Sequence, residues 1–290
     1  MAVRRKRNAS GLTPDQRAVL RGLVAHPKFE LIPLKNAMEA ADALPHAATV
    51  TVTASPSHGL ESTVELGESL AERGHVVVPH LSAHMIRDRA HLSELLQRCR
   101  DAGFTRAFVV GGDAKEPGDF HDGLSLLRAM DELGHPFTEI GVPSYPEGHV
   151  DISTERLLEV LKEKQRYAKY MATQMSFNPG AILSWLGQMR ANGVMLPVHL
   201  GTPGVAELTK LMTISTRIGI ADSARYLKKN RRMVGSLLTP GKFGPDALLE
   251  GMGPAYTDPG ANIEALHLFT FNQVQATVDW QARMLATLDE

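Results

Sequence analysis

Residues 75–113 read HVVVPHLSAHMIRDRAHLSELLQRCRDAGFTRAFVVGGD, and their pattern sets the fold class. A β-branched run, His75–His80, is followed by Leu92, Leu95, Leu96 and Cys99 at i, i+3, i+4, i+7, which is one face of a helix. Gly103 then closes the helix, as a left-handed C′ position prefers, and a second apolar run follows at Ala107–Gly111. Neither run alternates apolar with polar residues. Strands of that kind are buried on both faces, so the unit is a βα repeat of a parallel sheet.

The same unit recurs along the chain. Strands are expected at Lys28–Pro33, Ala48–Thr53, His75–His80, Ala107–Gly111, Pro136–Val142, Lys169–Met175, Met195–Leu200 and Ala265–Phe269, with helical patterns between them. Leu124, Leu127, Ala129, Met130 and Leu133 give another apolar helix face, and Gly74 and Gly134 repeat the closing role of Gly103. Eight βα units in a chain of this size predict a (β/α)8 TIM-type barrel occupying residues 28–290, preceded by an N-terminal extension, 1–27. Extra helices are expected between strands seven and eight, at Ser223–Gly235 and Pro245–Gly251, separated by Thr239-Pro240-Gly241. No linker composition divides the chain, so it reads as one domain. A doubly wound open sheet is the alternative, but the turn after the first strand has no glycine.

Composition narrows the function. The 290 residues carry 31 Lys+Arg against 32 Asp+Glu, with 43% hydrophobic and 22% charged residues, an ordinary globular balance. No apolar run approaches the ~20 residues of a bilayer span. One cysteine, Cys99, excludes an intrachain disulfide and a cysteine-based zinc site, and a cytoplasmic, reducing setting is expected. The Arg4-Arg5-Lys6-Arg7 cluster is read as a solvated terminus, not a nucleic-acid contact, because the chain as a whole is neutral.

A parallel barrel places its reactive groups where strands finish. Those positions hold Glu30, Thr53, His80, Asp113 after Gly111-Gly112, Tyr145 to His149, Gln174, His199 and Asn272-Gln273. Any one of them is as readily an ordinary loop residue or a satisfied structural histidine. All eight together favour a polar pocket at one mouth. Glu30 lies among Phe29, Leu31, Ile32 and Pro33, surroundings that would raise a carboxyl pKa by desolvation if the side chain faces inward. The competing reading turns it outward to Lys28 or Lys35. The histidines show no metal-ligand spacing, and no metal is expected.

These residues resemble the methylenetetrahydrofolate reductase family, from about Lys28 to Trp280. Phe29-Glu30-Leu31-Ile32-Pro33 looks like its Phe-Glu-Phe-Phe-Pro strand, Pro79-His80-Leu81-Ser82 like Pro-His-Leu-Thr, and Gly112-Asp113 like its Gly-Asp segment. Tyr145-Pro146-Glu147-Gly148-His149 is the most specific match. Thr173-Gln174-Met175-Ser176-Phe177 resembles Thr-Gln-Phe-Phe-Phe, and Phe269-Thr270-Phe271-Asn272 resembles Phe-Thr-Leu-Asn.

The resemblance implies a (β/α)8 oxidoreductase interconverting 5,10-methylenetetrahydrofolate and 5-methyltetrahydrofolate, with hydride from NAD(P)H passing through bound FAD. It implies Glu30 as the acid for ring opening and Asp113 near flavin and pterin. Gln174, Asn272 and Gln273 would lie on the folate, and Thr53, His80, Gly112, Asp113, Tyr145, His149 and Lys164 on the flavin. Three departures stand out: Pro33-Leu34 replaces Pro-Pro, Gln273 replaces a common Arg, and the basic segment Lys162–Arg166 is shifted in register. They bear on the cofactor, because some short members of the family look able to pass hydride directly from nicotinamide to folate. Two other readings are a pterin-binding methyltransferase and a folate- or flavin-binding module without turnover. Small-molecule partners are expected, without nucleic acid or membrane, and homo-oligomerisation is left open. Arg225, Lys228, Lys229, Arg231 and Arg232 form either a solvated helix face or an anion site beside the mouth.

Overall fold

The computed structural model describes residues 11–55, 57–112, 114, 116–207, 209, 211, 213 and 242–290. Eight parallel strands close into a barrel: β1 (Lys28–Leu31), β2 (Thr49–Val52), β3 (Val76–Ser82), β4 (Arg106–Val110), β5 (Glu139–Ser144), β6 (Tyr170–Thr173), β7 (Val198–Pro203) and β10 (Ile263–Phe269). A short antiparallel ribbon, β8 (Ala206–Glu207) with β9 (Lys242–Phe243), stands between the last two. Among the described residues the helices are α1 (Pro14–Ala25), α2 (Ala37–Ala41), α3 (Gly59–Glu72), α4 (Arg89–Asp101), α5 (Gly123–Leu133), α6 (Thr154–Lys164), α7 (Pro179–Ala191), α8 (Asp246–Gly251), α9 (Gly253–Tyr256) and α10 (Val274–Leu288). None is long and apolar enough to cross a membrane. The expected helix at Ser223–Gly235, the Thr239–Gly241 break, the five-cation cluster and Arg4–Arg7 lie outside the described residues, whereas the expected Pro245–Gly251 helix is α8.

Local chemistry starts and stops these elements. Thr13 caps α1 in a reciprocal capping box with Gln16, with Pro14 at the first helical position. Asp88 and Asp122 cap α4 and α5 by accepting from His91 N and Ser125 N. Gly74, Gly103 and Gly134 take φ of 84°, 70° and 74° after α3, α4 and α5, the left-handed backbone expected of them. The 1–27 segment is not all appendage. From Leu12 onward it packs into the main core through Leu20, Leu23 and Val24, and the Gln281 amide of α10 donates to Val24 O at 2.8 Å.

The core is a shell between barrel and helices. Outward strand residues such as Phe29, Leu31, Val50 and Val52 pack there with Leu60, Val64, Leu92 and Leu96. Because strand side chains alternate faces, the intervening residues fill the lumen.

The lumen at the strand beginnings is a polar layer. Lys28 Nζ pairs with Glu139 at 2.9 Å, and Arg106 Nε reaches the same carboxylate at 3.2 Å. Lys28 Nζ lies 4.0 Å from the Tyr170 ring centroid, and that ring stacks on His199 at 3.7 Å. The Tyr170 ring occupies the space a side chain at position 141 would need, so glycine is required there. His199 therefore does not stand at the reactive mouth, as its expected strand Met195–Leu200 implied. The strand starts at Val198 and runs to Pro203, which moves His199 to the opposite end.

Burial pushes the His199 imidazole down from its ordinary 6.5 to about 4, with Glu264 opposing this through a 3.2 Å contact at Nε2. A neutral ring still donates Nε2–H to that carboxylate, and Glu264 accordingly lies below its usual range. A depressed histidine means that the unfolded chain takes up the proton first. The His199 contribution is thus complete above pH 6.5 and is lost as pH falls towards 4, by about 3 kcal/mol over that window. Urea denaturation at stepped pH should show a slope across this window that is shallower in a folded His199→Gln variant; equal slopes would remove His199 as its source.

Candidate active site

A cavity of about 420 Å³ opens at the strand ends and is lined by Glu30, Thr53, His80, Tyr145, Gln174 and His267 among apolar walls that include Phe108, Phe269 and Phe271. A larger groove of about 940 Å³ adjoins it. Tyr145, Gln174, Val110 and Pro143 line both, and Gly111, Gly112, His149 and Lys164 line the groove alone. The cavity has the mixture that suits a flat heterocycle: aromatic faces with a few polar groups.

Glu30 is the inward residue of β1, and its side chain is 12% exposed. Its apolar sequence neighbours are not what surrounds it, because Phe29 and Leu31 point through the other face of the strand into the helix-side core. Glu30 Oε2 instead shares a 2.9 Å hydrogen bond with His267 Nε2 and lies 3.9 Å from His80 Nε2. Both rings are buried. Burial lowers the His80 pKa to about 4 despite the opposing pull of the Glu30 charge, so that imidazole is neutral near pH 7. His267 was not singled out from the sequence. The signal was the alternation Ala265-Leu266-His267-Leu268-Phe269, which faces His267 inward between two outward leucines.

The β5 loop is shaped by a turn. Gly148 N donates to Tyr145 O at 3.1 Å, with Pro146 next to Tyr145 and Gly148 at φ 79°. The turn folds His149 back onto Tyr145, edge to face, with centroids 5.1 Å apart. Burial raises the Tyr145 pKa, which keeps the phenol protonated. Ser176 closes the loop onto β6 by donating to Glu147 at 2.7 Å. Gln174 Oε1 accepts from Met175 N at 2.8 Å, so its amide NH2 is the end offered to a ligand.

Lys164 ends α6 at 8% exposure and lines the groove. Burial lowers its pKa, countered by Asp122, yet among the described residues it has no ion pair. Gly112 adopts φ 95° over Ser82, where a side chain would collide with the hydroxyl. Asp113 lies outside the described residues.

Asn272 and Gln273 face a different groove, with Asn36, Glu39 and Asp42. Asn272 is a seam residue. Its Oδ1 accepts from Ile32 N at 2.9 Å and its Nδ2 donates to Ile32 O at 3.0 Å, which ties the loop after β10 to the loop after β1. Its φ of 59° and that of Phe271, 50°, are left-handed, a conformation asparagine tolerates better than phenylalanine does.

The profile of the methylenetetrahydrofolate reductase family matches residues 25–223. The chain belongs to that family. Methylenetetrahydrofolate reductase 1 of Schizosaccharomyces pombe is 29% identical over 136 residues, a match that takes in 44% of this chain and 22% of that protein. The fold is also similar to that of a Clostridium thermocellum protein described as uncharacterized and as binding two copies of 5-methyl-5,6,7,8-tetrahydrofolic acid. That similarity has a TM-score of 0.61 at 13% identity, over 92% of this chain and 97% of the other. Cys99 is buried and its thiol is pushed up to about 12 by desolvation, so a cysteine-based methyl transfer finds no nucleophile in it.

Removing the seam amide should act on stability. Asn272→Ala leaves Ile32 N–H without its acceptor, and the urea midpoint is expected to fall by the equivalent of about 1–3 kcal/mol with the m-value unchanged. An unmoved midpoint would show that the seam bonds contribute nothing net.

Proposed function

We propose that this chain interconverts 5,10-methylenetetrahydrofolate and 5-methyltetrahydrofolate, with NAD(P)H as hydride donor and FAD as the bound carrier. The observation that carries the reading is Glu30. It is a largely buried carboxyl hydrogen-bonded to His267, and it stands in an aromatic-walled cavity that opens on a groove large enough for a nucleotide cofactor.

The bridging carbon of the substrate is held by two nitrogens and accepts hydride only after one carbon–nitrogen bond has broken. Glu30 donates a proton to the departing nitrogen, that bond cleaves, and an iminium remains on the other nitrogen. Hydride then adds to the iminium carbon, which becomes the methyl group. His267 orients the acid through the 2.9 Å bond. Phe108, Phe269 and Phe271 supply apolar surface that excludes water, and the Gln174 NH2 offers a donor to the pterin. Asp113 is assigned beside the ring systems on the resemblance alone.

The residues present fit a dinucleotide. Lys164 is a buried cation in the groove with no ion pair among the described residues, and a phosphate would satisfy it; Tyr145, His149, Thr53 and Gly112 surround the passage to the cavity. FAD, when bound there, relays hydride between nicotinamide and folate.

Two measurements test the reading. The protein, as purified or after addition of FAD, should show the visible bands of oxidised flavin and oxidise NADH with methylenetetrahydrofolate as acceptor. Turnover without flavin bands would replace the relay by direct transfer. Glu30→Gln should lower kcat about 10²–10⁴-fold while leaving flavin binding and KM nearly unchanged. Wild-type turnover in that variant would remove Glu30 from the mechanism.

A further inference from the structure

Below the mouth, three strands bring three ligand groups to one point: Glu30 from β1, His80 from β3 and His267 from β10. Glu30 Oε2 is 2.9 Å from His267 Nε2 and 3.9 Å from His80 Nε2, and one ligand atom from each of the three lies within 4.8 Å of the others. A tetrahedral Zn²⁺ with bonds of about 2.0–2.1 Å spaces its donors about 3.3–3.5 Å apart. The two Glu30 separations straddle that figure, and the third is bounded at 4.8 Å. Two imidazoles and one carboxylate with an open position are the donor set of three-ligand zinc sites.

A second observation points the same way. His80 is 7% exposed, and its Nε2 has no hydrogen-bond partner while facing the Glu30 carboxylate. An unpartnered buried nitrogen is costly unless something occupies its lone pair. Burial keeps the ring neutral, the form that binds metal. Among the described residues no Lys or Arg lies within ion-pair reach of Glu30 to compete for its charge.

We propose that Glu30, His80 and His267 form a three-ligand site for a divalent cation of the Zn²⁺ class, with its fourth position facing the cavity. The cation is not a cofactor of the reductase reaction. It and the catalytic proton compete for the same carboxylate, so occupancy switches turnover off. The binding stands on geometry alone, whereas the inhibitory sense rests on the proposed function.

The test is calorimetric titration of chelator-treated protein with Zn²⁺, in wild type, Glu30→Gln, His80→Gln and His267→Gln, each checked for native circular dichroism. One Zn²⁺ per chain is expected in wild type, with affinity reduced about 10-fold or more in each folded ligand variant. Absence of saturable binding in wild type overturns the site. So does wild-type affinity in the folded variants, which would place the ion on other histidines. NADH-dependent turnover should fall as Zn²⁺ saturates and return on addition of EDTA; full turnover in Zn²⁺-saturated protein overturns the competition. A protein without reductase turnover at any metal level overturns the proposed function, and calorimetry still decides the site.

Discussion

The pairing of the last barrel strand with the first is the contact on which the site depends. Lys28, Phe29 and Glu30 lie opposite His267, Leu268 and Phe269, and this register sets Glu30 beside His267 inside the lumen. Period-two alternation makes the arrangement all or none: a slip of one residue would turn Glu30 into the apolar shell and Phe29 into the cavity. Side chains reinforce the register. Thr270 Oγ1 donates to Glu30 O, and the Asn272 amide clamps Ile32 from both ends.

Two polar layers share the lumen and do different work. At the strand beginnings Lys28, Arg106, Glu139, Tyr170, His199 and Glu264 are linked by ion pairs and stacking, although Tyr170 Oη and His199 Nδ1 are buried without hydrogen-bond partners. Towards the strand ends the partners are of another kind. Glu30 has histidines, not lysine or arginine, for neighbours, and His80 Nε2 and Ser82 Oγ are buried without hydrogen-bond partners. A layer of ion pairs at one end and a carboxyl set among imidazoles at the other give the barrel its chemical direction.

Much of this was legible in the sequence. β-branched runs separated by helices with Gly74, Gly103 and Gly134 beyond their ends located all eight barrel strands, and Glu30, Thr53, His80, Tyr145 and Gln174 do converge on one cavity. Three things were not. Met195-Leu196-Pro197 reads as part of a strand, yet pairing begins only at Val198, which reverses the end of the barrel that His199 occupies. The environment of Glu30 cannot be read from its chain neighbours, because those face away; it is set by residues on strands β3 and β10. Asn272 resembles a ligand residue by position, but its amide is bonded to Ile32 N and O and to Asn36 Oδ1, which only the folded geometry reveals.

The Glu30–His267 bond joins residues 237 apart in the chain. Closing so long a loop has an entropic cost that nothing local offsets until β10 docks, so Glu30 and His267 come together only after β10 has been made. During synthesis β1 and β2 can pair early, but β1 keeps an open edge and an unmatched carboxylate until the C-terminal strand arrives. The Glu30–His267 pair is in this sense a proofreading mark of assembly: a barrel that has not closed does not contain it.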